Sequence, residues 1–189
     1  MANAHDVTLL TRTICGDLVV ARFSRPDGYS FRAGQWFRLS LQTAEGDEAR
    51  TFSHASAPGD PYIELTTRVS GSSFKRALCS LAEGDGASLS GPGGRLTLQV
   101  GVSEAVFLAG GVGITPVRSI LRDAIQTGAR FSDALVVYGN RTSECVAYLE
   151  ELEAMQHSGV RVVPVFETAA PSWRGESGLI TAQLLRRHV

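Results

Sequence analysis

The chain has 189 residues, 43% of them hydrophobic and 20% charged, with a formal net charge of −1. That length admits one domain or two compact ones, and the composition is ordinary for a soluble globular protein. The charge balance gives no electrostatic case for nucleic acid or an anionic membrane, and no apolar run approaches the ~20 residues that span a bilayer. The opening MANAHDVTLL lacks the basic region and long apolar core of a signal peptide. Three cysteines, Cys15, Cys79 and Cys145, stand far apart. Such an odd, scattered set argues against a disulfide framework, a zinc knuckle or an iron–sulfur cluster, so the expected compartment is the reducing cytoplasm. The four histidines show no ligand spacing, and no metal is expected.

The first hundred residues read in twos. In QWFRLSL, Phe37, Leu39 and Leu41 alternate with Trp36, Arg38 and Ser40, the pattern of a strand with one buried face. RTFSHAS, residues 50–56, follows, with Arg50, Phe52 and Ser53 close together. Arg50 has the charge for a pyrophosphate, Phe52 a face for a flat ring and Ser53 a hydroxyl for its edge. Strand alternation without a ligand explains the same run. In YIELTTRV, Ile63, Leu65, Thr67 and Val69 alternate with Glu64, Thr66 and Arg68. The strand then meets SSFKRALCSL, a helix opened by serine and followed by AEGDG. The N–H groups of Ser72, Ser73, Phe74 and Lys75 there form a possible phosphate site, or simply a serine-capped helix. The turns RPDG, AEGD, APGDP and GPGG separate the strands, so this half is expected to be an antiparallel barrel or sandwich.

After about residue 102 the rhythm changes. EAVFLAG reads as a short apolar strand ending in glycine, and AGGVGITP follows. Gly110, Gly111 and Gly113 permit a sharp turn and close approach of a ligand. Thr115 is expected as N-cap with Pro116 at the first helical position, where free N–H groups and the helix dipole favour an anion. A tight turn with no ligand is the alternative. Val117, Ile120, Leu121, Ala124 and Ile125 then mark one face of a helix. ALVVYG is a buried strand running into Asn140, Arg141 and Thr142, where Asn140 and Arg141 are in reach of a nucleotide or Arg141 is a solvated loop charge. SECVAYLEELEAM reads as a second helix, VRVVPVF as a third strand and TAQLLRRHV as a third helix. Alternating strands and helices mean βαβ units on a parallel sheet. The expected organisation is an antiparallel β-barrel over residues 1–102 followed by a parallel α/β unit over 103–189.

Taken in order, GQWFRL, RTFSHAS, TTRVSGSSFKRAL, GPGGRLTL, VFLAGGVGITPVRSIL and VVYGNRT resemble the ferredoxin–NADP⁺ reductase superfamily, and most of all its bacterial FAD/NAD(P)-binding oxidoreductases. The resemblance covers nearly the whole chain. It implies an FAD-binding barrel joined to a nicotinamide-nucleotide-binding domain. By that resemblance Arg50, Thr51, Phe52 and Ser53 contact flavin and pyrophosphate, and Thr66, Thr67 and Arg68 line the flavin. Ser72, Ser73 and Phe74 hold the FAD pyrophosphate, Gly110, Gly111, Val112, Gly113, Thr115 and Pro116 contact the nicotinamide dinucleotide, and Asn140 and Arg141 join them. Ser53 and Thr115 are the residues expected at the reacting edge, with no acid–base triad. Phe52 stands where a tyrosine is commoner, so stacking is kept and a hydroxyl lost. Where many members carry a Ser-Arg pair for the 2′-phosphate of NADP, this chain reads FETAAPSW; Glu167 favours NADH, against which Arg141 weighs slightly. The family continues beyond TAQLLRRHV with a further strand, turn and helix, so a nucleotide unit lacking its last strands is expected. The implied activity is hydride transfer from NADH or NADPH to FAD and release of electrons to an iron–sulfur or haem protein. A reductase of free flavin, ferric ion or a small molecule, and a non-catalytic flavin module, are the other two readings.

Overall fold

The computed structural model describes residues 4–99, 101–128 and 131–189. Six strands lead: β1 (Ala4–Cys15), β2 (Leu18–Ser24), β3 (Trp36–Thr43), β4 (Gly46–Ser53), β5 (Tyr62–Arg68) and, after helix α1 (Ser73–Ser80), β6 (Gly86–Gly93). They form one antiparallel sheet in the order β4-β3-β6-β1-β2-β5. The long β1 turns the corner of this open barrel: residues 4–8 pair with β6 and residues 9–15 with β2, with an irregularity between Leu9 and Thr11. The alternation in β3 holds, with Phe37, Leu39 and Leu41 buried and Trp36 and Arg38 exposed. These side chains meet Phe23, Leu65 and Leu89 in the barrel core, into which α1 also seats Phe74 and Leu78. The GPGG run is not a separate turn, because β6 extends through Gly93.

The chain continues as β7 (Glu104–Gly110), a single 3-10 turn (Gly111–Gly113), α2 (Ile114–Gln126), β8 (Asp133–Asn140), α3 (Leu149–Ala154), β9 (Val160–Phe166), β10 (Glu176–Ser177) and α4 (Ala182–His188). The strands form a parallel sheet in the order β10-β9-β8-β7. Val136 and Tyr138 of β8 pack under α2, and Leu135 and Val137 under α4. That two-sided cover is why β8 is almost continuously apolar. EAVFLAG behaves differently from the buried strand its composition predicts. As the edge strand β7 it leaves Val106 and Leu108 about half exposed.

Two helix expectations are corrected. The second helix does not begin at Ser143: residues 141–148 form an irregular segment, and α3 starts only at Leu149. The backbone reason is Tyr148, which takes the left-handed conformation (φ 60°) and ends any helical path from its N-terminal side. Thr115 is not the cap of α2. The preceding 3-10 turn starts the helical path early, so Gly113 is the N-cap and Thr115 lies inside the first turn, its hydroxyl donating to the Val112 carbonyl (3.0 Å). Thr181 does cap α4, accepting from the Leu184 N–H.

The cysteine expectation is also overturned. Cys15, at the end of β1, and Cys145, in the 141–148 segment, form a disulfide across 130 residues of sequence. The fold brings the tip of the β1–β2 hairpin against the loop after β8, a proximity that spacing along the chain does not reveal. Cys79 on α1 is a free thiol. Among the described residues no helix is long and apolar enough to cross a membrane.

Candidate functional site

The glycine turn between β7 and α2 is the wall between two clefts. Val112, Gly113, Thr115 and Pro116 face a cleft of about 390 Å³ whose opposite side is Arg50, Thr51, Phe52, Ser53, Thr66, Thr67 and Lys75. Gly110 and Gly111 face a second cleft of about 510 Å³, with Arg68, Asn140, Arg141 and Glu167. Gly111 has a backbone reason to be glycine, since its φ is +50°. Gly110 and Gly113 do not: a Cβ at either would meet nothing within 4 Å. Packing within the chain leaves that space open on both sides of the turn, where a ligand can approach the backbone.

The first cleft joins residues from distant parts of the chain. β4 supplies Arg50 to Ser53, β5 supplies Thr66 and Thr67, and the 3-10 turn and the start of α2 face them with Val112, Gly113, Thr115 and Pro116. The Phe52 ring leans on Phe37 and Phe74 at centroid distances of 6.2 and 5.8 Å, so its position is set by the barrel core. Beside it His54 is buried; its Nδ1 contacts the Gln35 carbonyl at 2.8 Å and its Nε2 the Tyr29 hydroxyl at 3.1 Å. Burial pushes this imidazole down to about 4, so it is neutral, donating from Nδ1 and accepting at Nε2. Arg50 pairs with Glu48. Ser73 also donates to Glu48, and these contacts, the serine first, hold that carboxyl below its usual range.

The structure separates some residues that the sequence grouped. Ser72 caps α1, accepting from the Lys75 N–H. Ser73 is turned to Glu48 and the Phe74 side chain is sealed in the barrel core; of Ser72, Ser73 and Phe74 only the backbone N–H groups are left to face a ligand. Arg68 belongs to the second cleft, where it pairs with Asp17. In that cleft Asn140 is 5% exposed, yet among the described residues its Oδ1 and Nδ2 have no hydrogen-bond partner. Buried amides are rarely left so. Orphaned polar atoms, cationic side chains and space at the glycines fit an anionic, hydrogen-bonding ligand such as a dinucleotide.

Sequence reasoning missed the residues that lock the two sheets together. The alternation of β5 sets Glu64 on the face opposite Ile63 and Leu65, and there too it is fully buried. Arg118 of α2 reaches its Oε1 at 2.7 Å, the Ala55 carbonyl at 2.6 Å and Glu151 at 2.8 Å. Arg22 holds the other oxygen of Glu64. Tyr148 donates to Glu64 at 2.7 Å, contacts the Thr66 hydroxyl, and lies under the Arg118 guanidinium, 4.0 Å from its ring centroid. Burial raises the phenol above its usual range. Ser119 adds a bond to the Ser56 carbonyl at 2.7 Å. Both faces of β5 are therefore covered, and α2 is held with its first turn against the barrel. A charged residue on the polar side of a strand carries no mark of such a partner.

Comparison with known proteins agrees with this geometry. The family described as the oxidoreductase NAD-binding domain matches residues 107–189. Ferredoxin–NADP reductase B of Sorangium cellulosum is 36% identical over 169 residues, covering 86% of this chain and 69% of that protein. The reductase component of propane 2-monooxygenase from Rhodococcus jostii is 34% identical over 142 residues, covering 72% of this chain and 38% of that protein. A ferredoxin NADP⁺ reductase from Neisseria gonorrhoeae, solved with bound FAD and NADP, superposes with a TM-score of 0.85 at 26% identity, over 99% of this chain and 77% of that one.

Proposed function

The chain belongs to the ferredoxin–NADP reductase family, and from that premise we propose that it takes hydride from a nicotinamide nucleotide onto FAD and passes electrons to a redox protein. The observation that carries this reading is the turn 110–116 standing as one wall of two clefts. A flavin in one and a nicotinamide nucleotide in the other meet across it. Bound FAD supplies the chemistry, accepting electrons in pairs and releasing them singly; the protein positions and screens.

In this reading the barrel through residue 102 is the flavin half and residues 103–189 the nucleotide half. Arg50 and Lys75 meet the FAD pyrophosphate, with the backbone donors of Ser72, Ser73 and Phe74 at the start of α1. Phe52 offers its ring face, and Thr51, Ser53, Thr66 and Thr67 their polar atoms, to the flavin. Val112, Gly113, Thr115 and Pro116 close the site from the α2 side. Thr115 spends its hydroxyl hydrogen on Val112, which leaves its oxygen lone pairs to accept from a group in the cleft. Ser53 and Thr115 thus flank the reacting edge from opposite walls. In the second cleft Gly110 and Gly111 admit the dinucleotide pyrophosphate, Asn140 gains partners for its orphaned amide, and Arg68 and Arg141 supply positive charge. Glu167 repels a 2′-phosphate, so NADH is the preferred donor.

The acceptor is an iron–sulfur or haem protein, and the compartment is the cytoplasm. There a disulfide is characteristically reversible. The test is FAD uptake, followed by flavin absorbance and by fluorescence quenching. The protein is expected to bind FAD, and Arg50→Ala to bind it about tenfold more weakly, the loss of one charge-assisted contact of ~1.4 kcal/mol. A protein that takes up no FAD would overturn the proposal, and unchanged affinity in Arg50→Ala would remove Arg50 from the site.

A further inference from the structure

The disulfide lies at the rim of the second cleft. Gly16 and Asp17, next to Cys15, line one side of it; Arg141, Thr142, Glu144 and Cys145 line the other. The bond therefore pins the loop after β8 to the β1–β2 hairpin across the mouth of the cleft. Cys15 is an exposed residue and Cys145 a partly exposed one, which places the bond at the protein surface.

The pinned loop is not relaxed. Cys145 (φ 49°) and Tyr148 (φ 60°) are non-glycine residues in left-handed backbone, a conformation that persists only where the surroundings impose it. Three attachments impose it here. The disulfide holds Cys145, the Tyr138 hydroxyl lies 3.1 Å from the Ala147 carbonyl, and Tyr148 bonds to Glu64 and Thr66. The same Tyr138 hydroxyl lies 3.1 Å from the Gly111 carbonyl in the glycine turn. Of the three, the disulfide is the one adjacent to Glu144 in the chain and the one open to chemistry.

We propose that Cys15–Cys145 is a thiol–disulfide exchange site that sets the grip of the second cleft on its nucleotide; the inference rests on that cleft holding NADH. The co-reactant is a dithiol. Its thiolate attacks the Cys15 Sγ, a mixed disulfide forms, and Cys145 leaves as a thiolate and takes a proton. The second thiol of the reductant then displaces the Cys15 thiolate, which is protonated in turn. Two electrons and two protons enter the protein, and the dithiol leaves as its own disulfide. With the bond cut, residues 141–147 keep the bond from the Thr168 N–H to the Arg141 carbonyl and the ties to Tyr138 and Tyr148, and lose the cross-link to the β1–β2 hairpin. Residues 142–146, Glu144 among them, lose their fixed place in the wall, while the first cleft is untouched.

The test compares FAD-loaded protein before and after dithiol treatment. A maleimide probe under denaturing conditions labels one thiol, Cys79, in the oxidised chain and three in the reduced one. Reduction is expected to raise the NADH dissociation constant about fivefold or more. Deuterium uptake of the peptide spanning 141–148 rises, and FAD stays bound. The double variant Cys15→Ser, Cys145→Ser reproduces the reduced behaviour and ignores the dithiol. Three free thiols in air-purified protein, or equal NADH affinity in both redox states, overturn the proposal and leave the cleft reading standing. A protein that binds NADH in neither redox state overturns both.

Discussion

His54 lies in the same RTFSHAS run as the residues that line the first cleft, yet its ring is turned into the barrel, stacked on Phe31 at 3.7 Å. Its burial gives the protein a pH signature. An imidazole lowered from 6.5 to about 4 in the folded state binds protons more readily when the chain is unfolded, so its contribution is present above pH 6.5 and is lost as the pH falls toward 4. Urea denaturation is expected to show about 1–2 kcal/mol less stability at pH 5 than at pH 6.5 from this residue, and His54→Gln to flatten that slope; an equal slope in the variant would mean the titration lies elsewhere. Glu167 is the second single-residue test. Removing its carboxylate in Glu167→Ser is expected to shift selectivity toward NADPH about tenfold, ~1.4 kcal/mol, read as the ratio of kcat/KM for the two donors. An unchanged ratio would separate Glu167 from the nucleotide's 2′ position.

At the scale of elements, the glycine turn permits a separation of folding from binding. Gly113 has φ −62° and ψ −7°, which any residue adopts, and a Cβ there touches nothing. Gly113→Ala is therefore expected to fold with equal or slightly greater stability, up to about 0.5 kcal/mol. The same methyl projects into the space between the clefts, so FAD or NADH binding is expected to weaken about tenfold, again ~1.4 kcal/mol. Thermal denaturation and ligand titration on one preparation decide it; a variant that folds and binds as the parent does would show the turn's openness to be incidental. The docking of α2 makes this turn a fixed wall. Arg118 and Glu64 are buried and paired, a geometry that costs several kcal/mol to break from one side, so the N-terminal turn of α2 has little freedom to move away from β5.

For the whole molecule, elements with one dominant periodicity were legible and contacts between the halves were not. β3 alternates because one face meets the barrel core and the other meets water, and β8 is uniformly apolar because helices cover both faces. β5 has the same alternation as β3, but the α/β half covers its polar face, and nothing near Glu64 in sequence announces Arg118. The disulfide escaped for the same reason, and the second helix was drawn too long because a single left-handed residue interrupts an otherwise helical composition. The residues of β4, β5 and the glycine turn that line the clefts stood out as motifs in the sequence. Their division between two clefts, with Arg68 in the second, required the fold. The central claim is that the shared wall brings a nicotinamide nucleotide to the flavin. Its most direct test is anaerobic addition of stoichiometric NADH to the FAD-loaded protein while the visible flavin band is recorded. The account predicts that the band bleaches, and more slowly with NADPH; a band that persists with both donors would contradict it.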